Sequence, residues 1–525
     1  MRRLFSLLTA AFLAFVLPAA LAAPASASGI GARYERITGS GGVALTARVY
    51  TPASTGKHPL VVLPASWAVP TLEYEIPARK LAERGYVVVS YTARGFYTSG
   101  GQIEVGSAND VADARAVIDW ALTNTPAAAD QVGMAGISYG AGFSLLTAAA
   151  DPRVKAVAAL STWADLEKSL GANDTWSSQG IALLGAAGKV TGRFGPELDA
   201  MLGNVLANER EPVRTWAAPR SPGRKLAQLN ANKPAVLIAN AWQDSLFPPD
   251  QTVELFTNLT GPKRLELAPG DHATPELLGL AGLPNDTWET TYRWLDHYLR
   301  GTDNGVDREA PVRLKPTIGG AAREFASWSA LTASTSRRYL GDVNPLIGRT
   351  GDLGTTARTG WTHTANGGFD TVADSGTVML TGGATQIGLP VAGWLPAVNR
   401  LNAGVWQTEP MARRTTVSGT PKLHVTVTPS AADTSLFAYL YDVDATGTGR
   451  LISHKPLTLL NRKAGAAQQV DLSLQPVLHD LDAGHRLVLA IDTKDQRYSS
   501  ETGLGERLTF SSPASSPSYL DVPLG

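Results

Sequence analysis

The sequence predicts two domains of different class: an α/β domain on a largely parallel sheet, followed by an all-β sandwich. Three observations carry the prediction. Between about Tyr34 and Leu299, short unbroken apolar runs alternate with helix-patterned stretches, as strands buried on both faces beneath helices do. After about Pro311 the residues alternate instead, as in Lys422-Leu423-His424-Val425-Thr426-Val427, which is the period of strands with one buried face. The chain of 525 residues also exceeds the roughly 250–300 that one core supports.

Taken in order, residues 1–28 read as a secretory signal peptide. Arg2 and Arg3 precede an apolar stretch, residues 4–16, followed by small residues. That stretch is shorter than the about 20 residues a bilayer-spanning helix needs. Of two small-x-small sites, Ala20-Leu21-Ala22 and Ala25-Ser26-Ala27, the second is favoured, because Pro24 crowds a cut at the first. The expectation is a secreted, soluble chain cleaved near Ala27, with no membrane anchor.

Residues 29–310 form the α/β domain. Strands are expected at residues 60–63, 87–89, 132–135, 154–160, 235–239 and 264–267. Helices are expected at 72–83 and at 109–122, where Val111, Ala114, Ile118 and Leu122 share a face. A third, at 288–299, has Gly301 as its stop. Residues 163–232 break the alternation with helical pieces, a Gly/Ala stretch and a basic, proline-containing turn. Inserted after a strand, they would lie over the strand ends as a cap. Residues 311–525 form the sandwich, with further alternation at 470–474 and 486–491.

Composition removes several functions. The 46 basic side chains balance 46 acidic ones, and without a basic run there is no electrostatic drive for nucleic-acid binding. There is no cysteine, which excludes disulfides, thiolate metal sites and cysteine nucleophiles.

Gly136-Ile137-Ser138-Tyr139-Gly140 is a G-x-S-x-G between an expected strand and a small-residue helix, residues 141–150. A nucleophile elbow requires that context, because glycines permit the strained turn that exposes Ser138 Oγ. A serine nucleophile needs a base, and the base an orienting acid. Between the elbow and the sandwich lie His272 and His297. His297 reads as a helix-face residue, whereas His272 lies in a loop just after the strand 264–267. Asp244, after the strand 235–239, is the expected acid. Of its rivals, Asp250 is expected to cap the next helix, and Asp271 adjoins the histidine too closely to orient its ring. The order Ser138, Asp244, His272 is that of α/β-hydrolases. The oxyanion hole would combine the Tyr139 N–H with one from Ser66 or Trp67, in the loop after residues 60–63. The alternative for Trp67 is packing under the cap.

In these residues the chain resembles the X-prolyl dipeptidyl-peptidase and cocaine-esterase-like group of serine hydrolases, over nearly all of its length after the leader. Ala93-Arg94-Gly95 with Ser99-Gly100-Gly101 is similar to that family's D-x-R-G…S-x-G segment. Residues 136–140 are similar to its G-x-S-Y-x-G elbow, tyrosine included. The resemblance implies an α/β-hydrolase fold with a helical cap insertion and a C-terminal all-β jelly-roll of the galactose-binding-like type. It also implies nucleophile, acid and base roles for Ser138, Asp244 and His272. Where the family often has a tyrosine hydroxyl in the first oxyanion loop, this chain has Pro64-Ala65-Ser66-Trp67.

The expected function is cleavage of an acyl ester or amide bond in a small-molecule or peptide substrate, through an acyl-enzyme and with no metal or organic cofactor. The alternative is release of N-terminal X-Pro dipeptides. That activity needs an anionic anchor for a free ammonium, for which Asp165, Glu167 and Asp174 of the cap are candidates. A reading of another class is a non-catalytic glycan- or cell-wall-binding protein, with Trp361, Trp394 and Trp406 stacking on sugars. Buried packing is the commoner fate of tryptophan. Asp442-Val443-Asp444 begins like a calcium loop, but its twelfth position is Ser453, so a hairpin turn is expected there.

Overall fold

A computed structural model describes residues 29–344 and 349–525; the expected leader, residues 1–28, lies outside them. The α/β part is a ten-stranded sheet in the order β1-β2-β4-β3-β5-β6-β7-β8-β9-β10. Its strands are β1 (Gly31–Thr38), β2 (Ala44–Thr51), β3 (His58–Pro64), β4 (Val87–Tyr91) and β5 (Ala127–Ile137). They continue as β6 (Val154–Leu160), β7 (Ala235–Ala241), β8 (Lys263–Ala268), β9 (Val312–Leu314) and β10 (Arg323–Phe325). From β4 to β9 every pairing is parallel. The unbroken apolar runs explain the centre: every residue of β3, β4 and β7 is buried, because helices cover both faces.

The helices begin and end where their chemistry says. Ala108–Asn124 starts on Ser107, whose hydroxyl accepts from Asn109 and Asp110 N–H while Asp110 returns a bond to the Ser107 N–H, a capping box. Asp286–Arg300 starts on Asn285 and stops at Gly301, which takes the left-handed conformation with φ of 68°. The expected helix 72–83 opens instead as a 3-10 turn, Thr71–Tyr74, before Glu75–Glu83.

The sheet runs past residue 310, where a domain boundary was expected. Val312 and Leu314 are fully buried, and β9 pairs with β8, so the all-β part begins only after β10. Between β6 and β7 five helices form the cap: Leu166–Leu170, Ser178–Thr191, Pro196–Leu206, Arg210–Ala217 and Leu226–Asn232. Among the described residues no helix is long and apolar enough to cross a membrane.

The all-β part runs from the strand Ser334–Asn344 to Tyr519–Leu524. Trp361 and Trp406 lie in its core, whereas Trp394 is 59% exposed. Its indole N–H donates to Thr446 O at 3.0 Å. Asp444 and Gly447 lie in the tight turn joining Thr434–Val443 to Thr448–Leu459, where the calcium-like residues stand. The sandwich packs directly against the cap. Asn173 Nδ2 donates to Pro456 O (2.9 Å), Ser499 N–H to Trp176 O (2.9 Å) and Gln179 N–H to Arg497 O (3.1 Å).

Arg94, in the segment after β4, is a buried cation. Its guanidinium grips both Asp113 oxygens (2.7 and 2.8 Å) and Glu104 (3.0 Å), a bidentate geometry that lysine does not offer. Removing one member of such a buried pair strands the other charge. Arg94→Met is therefore expected to lose about 3–5 kcal/mol, seen as a lower unfolding midpoint, with Arg94→Lys recovering only part.

Candidate active site

Ser138 stands at the junction of β5 and the helix Tyr139–Ala150, with φ 55° and ψ −116°. A non-glycine residue held there carries strain of about 1–3 kcal/mol, and the packing around it leaves no alternative. A β-carbon on Gly136 would lie 2.7 Å from the Gly140 carbonyl carbon, and one on Gly140 would lie 1.9 Å from Pro64 O. Both elbow glycines are thus required by close backbone approach. The Ser138 N–H donates to Leu160 O (2.8 Å), which ties the turn to β6.

The expected partners converge on this serine. His272 Nε2 lies 2.8 Å from Ser138 Oγ. On the other side of the ring, Nδ1 lies 3.0 and 3.2 Å from the Asp244 oxygens. Asp244 is itself fixed by N–H groups of Leu246 (3.0 Å) and Phe247 (2.7 Å). With Nδ1–H donating to the carboxylate, Nε2 is left to accept the serine proton. Burial alone would push the imidazole down, but Asp244, with Asp271 and Glu276 behind it, outweighs burial and raises it above the ordinary 6.5.

The rivals have other work. Asp250 does not cap the helix Pro249–Asn258. Pro248 stands at the cap, and Asp250, one residue into the first turn, pairs with Lys455 of the sandwich. Asp271 Oδ1 accepts from the N–H groups of Ser245 and His272, both at 2.7 Å, so it holds the backbones beside Asp244 and of His272. His297 lies on its helix face, bonded to Thr302 O (3.0 Å).

The two candidate donors after β3 separate clearly. The Ser66 N–H is taken by Glu73 Oε2 (2.8 Å), while its hydroxyl lies 2.5 Å from Glu73 Oε1 and 2.9 Å from Ile137 O. A hydroxyl has one proton. If it goes to Ile137 O, the contact with Glu73 needs a proton on the carboxyl, and burial pushes Glu73 up to about 7. The backbone N–H groups of Trp67 and Tyr139 have no acceptor among the described residues. The Trp67 ring packs under the cap, its Nε1–H donating to Leu184 O (2.9 Å), edge-on to Tyr139 at 5.2 Å.

Beside Ser138 opens a cavity of about 110 Å³, roofed by the cap. Trp67, Trp163, Trp176, Met201, Trp216 and Phe247 line it, and Glu167 is its one charged residue. The three cap carboxylates expected as anchors are paired: Asp165 with Arg224 (3.1 Å), Glu167 with Arg214 (3.0 Å), and Asp174 with both Arg214 and Arg210. Half-buried Glu73 and fully buried Glu276 have no motif to mark them in the sequence. Among the described residues no cluster of three or more His or acidic side chains suits a metal ion.

Between the ordinary carboxyl value of 4.5 and about 7, native Glu73 keeps a proton that the unfolded chain releases. The native state therefore loses stability through this group as pH rises across that window. Glu73→Gln keeps the bonds to Ser66 without titrating. Its stability relative to the parent is expected to improve by on the order of 2–3 kcal/mol between pH 4.5 and pH 7, read from unfolding midpoints at each pH.

Two family models match successive parts of the chain: "X-Pro dipeptidyl-peptidase (S15 family)" over residues 41–274 and "X-Pro dipeptidyl-peptidase C-terminal non-catalytic domain" over residues 304–519. A Streptomyces avermitilis protein named as a candidate Xaa-Pro dipeptidyl-peptidase is 24% identical over 69% of this chain, which spans only 52% of that relative. In fold, the chain is similar to a CocE/NonD family hydrolase from Staphylococcus aureus (TM-score 0.73, 15% identity, 94% of each chain). It is also similar to an α-amino acid ester hydrolase (TM-score 0.68, 15% identity, 96% of this chain and 98% of that one). With Ser138 at the end of β5, a cap over the sheet and an all-β domain behind it, the chain belongs to the X-Pro dipeptidyl-peptidase (S15) family of α/β-hydrolase serine hydrolases.

Proposed function

We propose that the chain hydrolyses esters with an apolar acyl group, using Ser138 as nucleophile, His272 as base and Asp244 as the acid that holds the ring. Ser138 Oγ attacks the acyl carbonyl as its proton passes to His272 Nε2. The N–H groups of Tyr139 and Trp67 receive the oxyanion. His272 then returns the proton to the leaving alkoxide, leaving an acyl-enzyme. Water, deprotonated by the same nitrogen, attacks next, releasing the acid and restoring the serine. The leader-like residues 1–28 support secretion.

The apolar cavity beside Ser138 carries this reading. An X-Pro dipeptide would bring a free ammonium into it, and the cap carboxylates that might receive one are each paired with arginine. An unpaired ammonium in an apolar site is strongly disfavoured, whereas an alkyl or aryl acyl group gains from burial.

Purified protein and its Ser138→Ala variant are compared on p-nitrophenyl acetate, butyrate and benzoate and on Gly-Pro and Ala-Pro p-nitroanilides. Ester turnover is expected, lost by about 10⁴-fold or more in the variant. Serine-dependent anilide turnover would replace the ester reading with the dipeptidyl-peptidase one, and no serine-dependent turnover at all would favour a binding protein. Because His272 must be neutral to act and its value is raised, the acid limb of kcat/KM is expected above pH 6.5.

A further inference from the structure

Both backbone groups of Ile137, the residue before Ser138, meet side chains from the loop and 3-10 turn after β3. Its N–H donates to the Tyr74 hydroxyl (2.8 Å), and its carbonyl accepts from the Ser66 hydroxyl (2.9 Å). Ser66 is held in turn by the residue beside Tyr74. Its N–H donates to Glu73 Oε2 (2.8 Å), and its hydroxyl lies 2.5 Å from Glu73 Oε1. One carboxyl and one hydroxyl thus bolt the loop after β3 to the strand that carries the serine.

The geometry of the loop passes this hold on to Trp67. Ser66 opens a turn in which Val69 N–H donates to Ser66 O (3.2 Å) and Ala68 takes φ of 61°. The Trp67 N–H shares a trans peptide with that Ser66 carbonyl, so a fixed carbonyl fixes the opposite direction of the N–H. The far side of the turn is tied as well, Ala68 O accepting from the Tyr97 hydroxyl (2.7 Å). Trp67 N–H therefore has a set direction and, among the described residues, no acceptor. Tyr139 N–H, in the same condition, follows Ile137 by two residues.

We infer that Glu73 is a positioning residue of the oxyanion site: through Ser66 it fixes the Trp67 N–H relative to the Tyr139 N–H, so that both donors meet one developing oxyanion. This rests on the reading of Ser138, His272 and Asp244 as a hydrolytic centre. Without Glu73 the Ser66 N–H loses its acceptor, and the turn that carries Trp67 loses its anchor. A donor displaced by about 1 Å no longer stands where the charge develops. The cost falls on the transition state, because the ground-state carbonyl depends less on those donors. Glutamine fits the same place. Its carbonyl accepts from the Ser66 N–H and its amide donates to Ser66 Oγ, whose own proton stays directed at Ile137 O.

The test uses full-length Glu73→Met, Glu73→Gln and Ser66→Ala on the p-nitrophenyl ester the parent turns over best. Alongside it runs a trifluoromethyl ketone carrying the same acyl group, which adds to the serine and places an oxyanion between the two donors. Glu73→Met is expected to lower kcat about tenfold or more, with KM changed less than about threefold, and to weaken ketone binding by a similar factor. Glu73→Gln is expected to return both to within about threefold of the parent. Ser66→Ala keeps the N–H bond but cuts the link to Ile137 O, and is expected to lose about threefold or more in both readouts. Its smaller change keeps the comparison standing if Glu73→Met fails to fold. A fall in kcat with ketone affinity unmoved, a Glu73→Gln as slow as Glu73→Met, or a Ser66→Ala that matches the parent would overturn the inference. Unfolding midpoints above the assay temperature ensure that each kcat belongs to folded protein. Turnover that survives in Ser138→Ala would instead sink the hydrolytic reading itself, independently of Glu73.

Discussion

The Pro64 carbonyl at the end of β3 occupies the space that any side chain on Gly140 would need, and the architecture of the centre rests on that contact between two backbones. The helix Tyr139–Ala150 starts in contact with the end of β3, and the N–H groups of Tyr139 and Trp67 have no acceptor among the described residues. The same crowding holds Ser138 in a backbone conformation it would not otherwise adopt. The strain is held in place by packing on all sides: β6 through Leu160, β3 through Pro64, and the cap through Trp67. A loosened elbow would relax the serine and scatter the donors together.

Electrostatically the centre is crowded with carboxyls. Asp244, Asp271 and Glu276 all lie within influence of one imidazole, and all are buried. Their environments differ: Asp244 and Asp271 are each held by backbone N–H groups, whereas burial pushes Glu276 up to about 7, with Ser161 donating to it at 3.0 Å. Around the cavity the arrangement is inverted. Arg210, Arg214 and Arg224 pair with Asp174, Glu167 and Asp165, leaving an apolar interior beside a charged floor. Such contrast suits a reaction in which charge develops at one end of the substrate only.

Much of this was legible in the sequence, and the reasons are local. Continuous apolar runs located β3, β4, β6 and β7, because a strand buried on both faces has no polar positions to confuse the pattern. G-x-S-x-G located the elbow, since close backbone approach leaves glycine as the residue that fits. Spacing after strands led to Asp244 and His272. What the sequence withheld was non-local. β9 and β10 are three residues each, too short for a period to register. Choosing between Ser66 and Trp67 needed Glu73, whose claim on the Ser66 N–H is a matter of tertiary contact. Asp271 was weighed only as a ring partner, whereas it works on backbones.

The seams between cap and sandwich also set an order in time. Asn173 waits for a partner 283 residues later and Trp176 for one 323 residues later. At the usual 5–20 residues per second of synthesis, the cap exists for roughly 15–60 s before its docking surface does. Contacts this distant in sequence form slowly even when both sides are present. The cavity itself is lined by residues no later than Phe247, so the seams outside it are the last contacts to form. A nascent or C-terminally shortened chain would hold Ser138 on a finished sheet beneath a cap whose outer seam is still open.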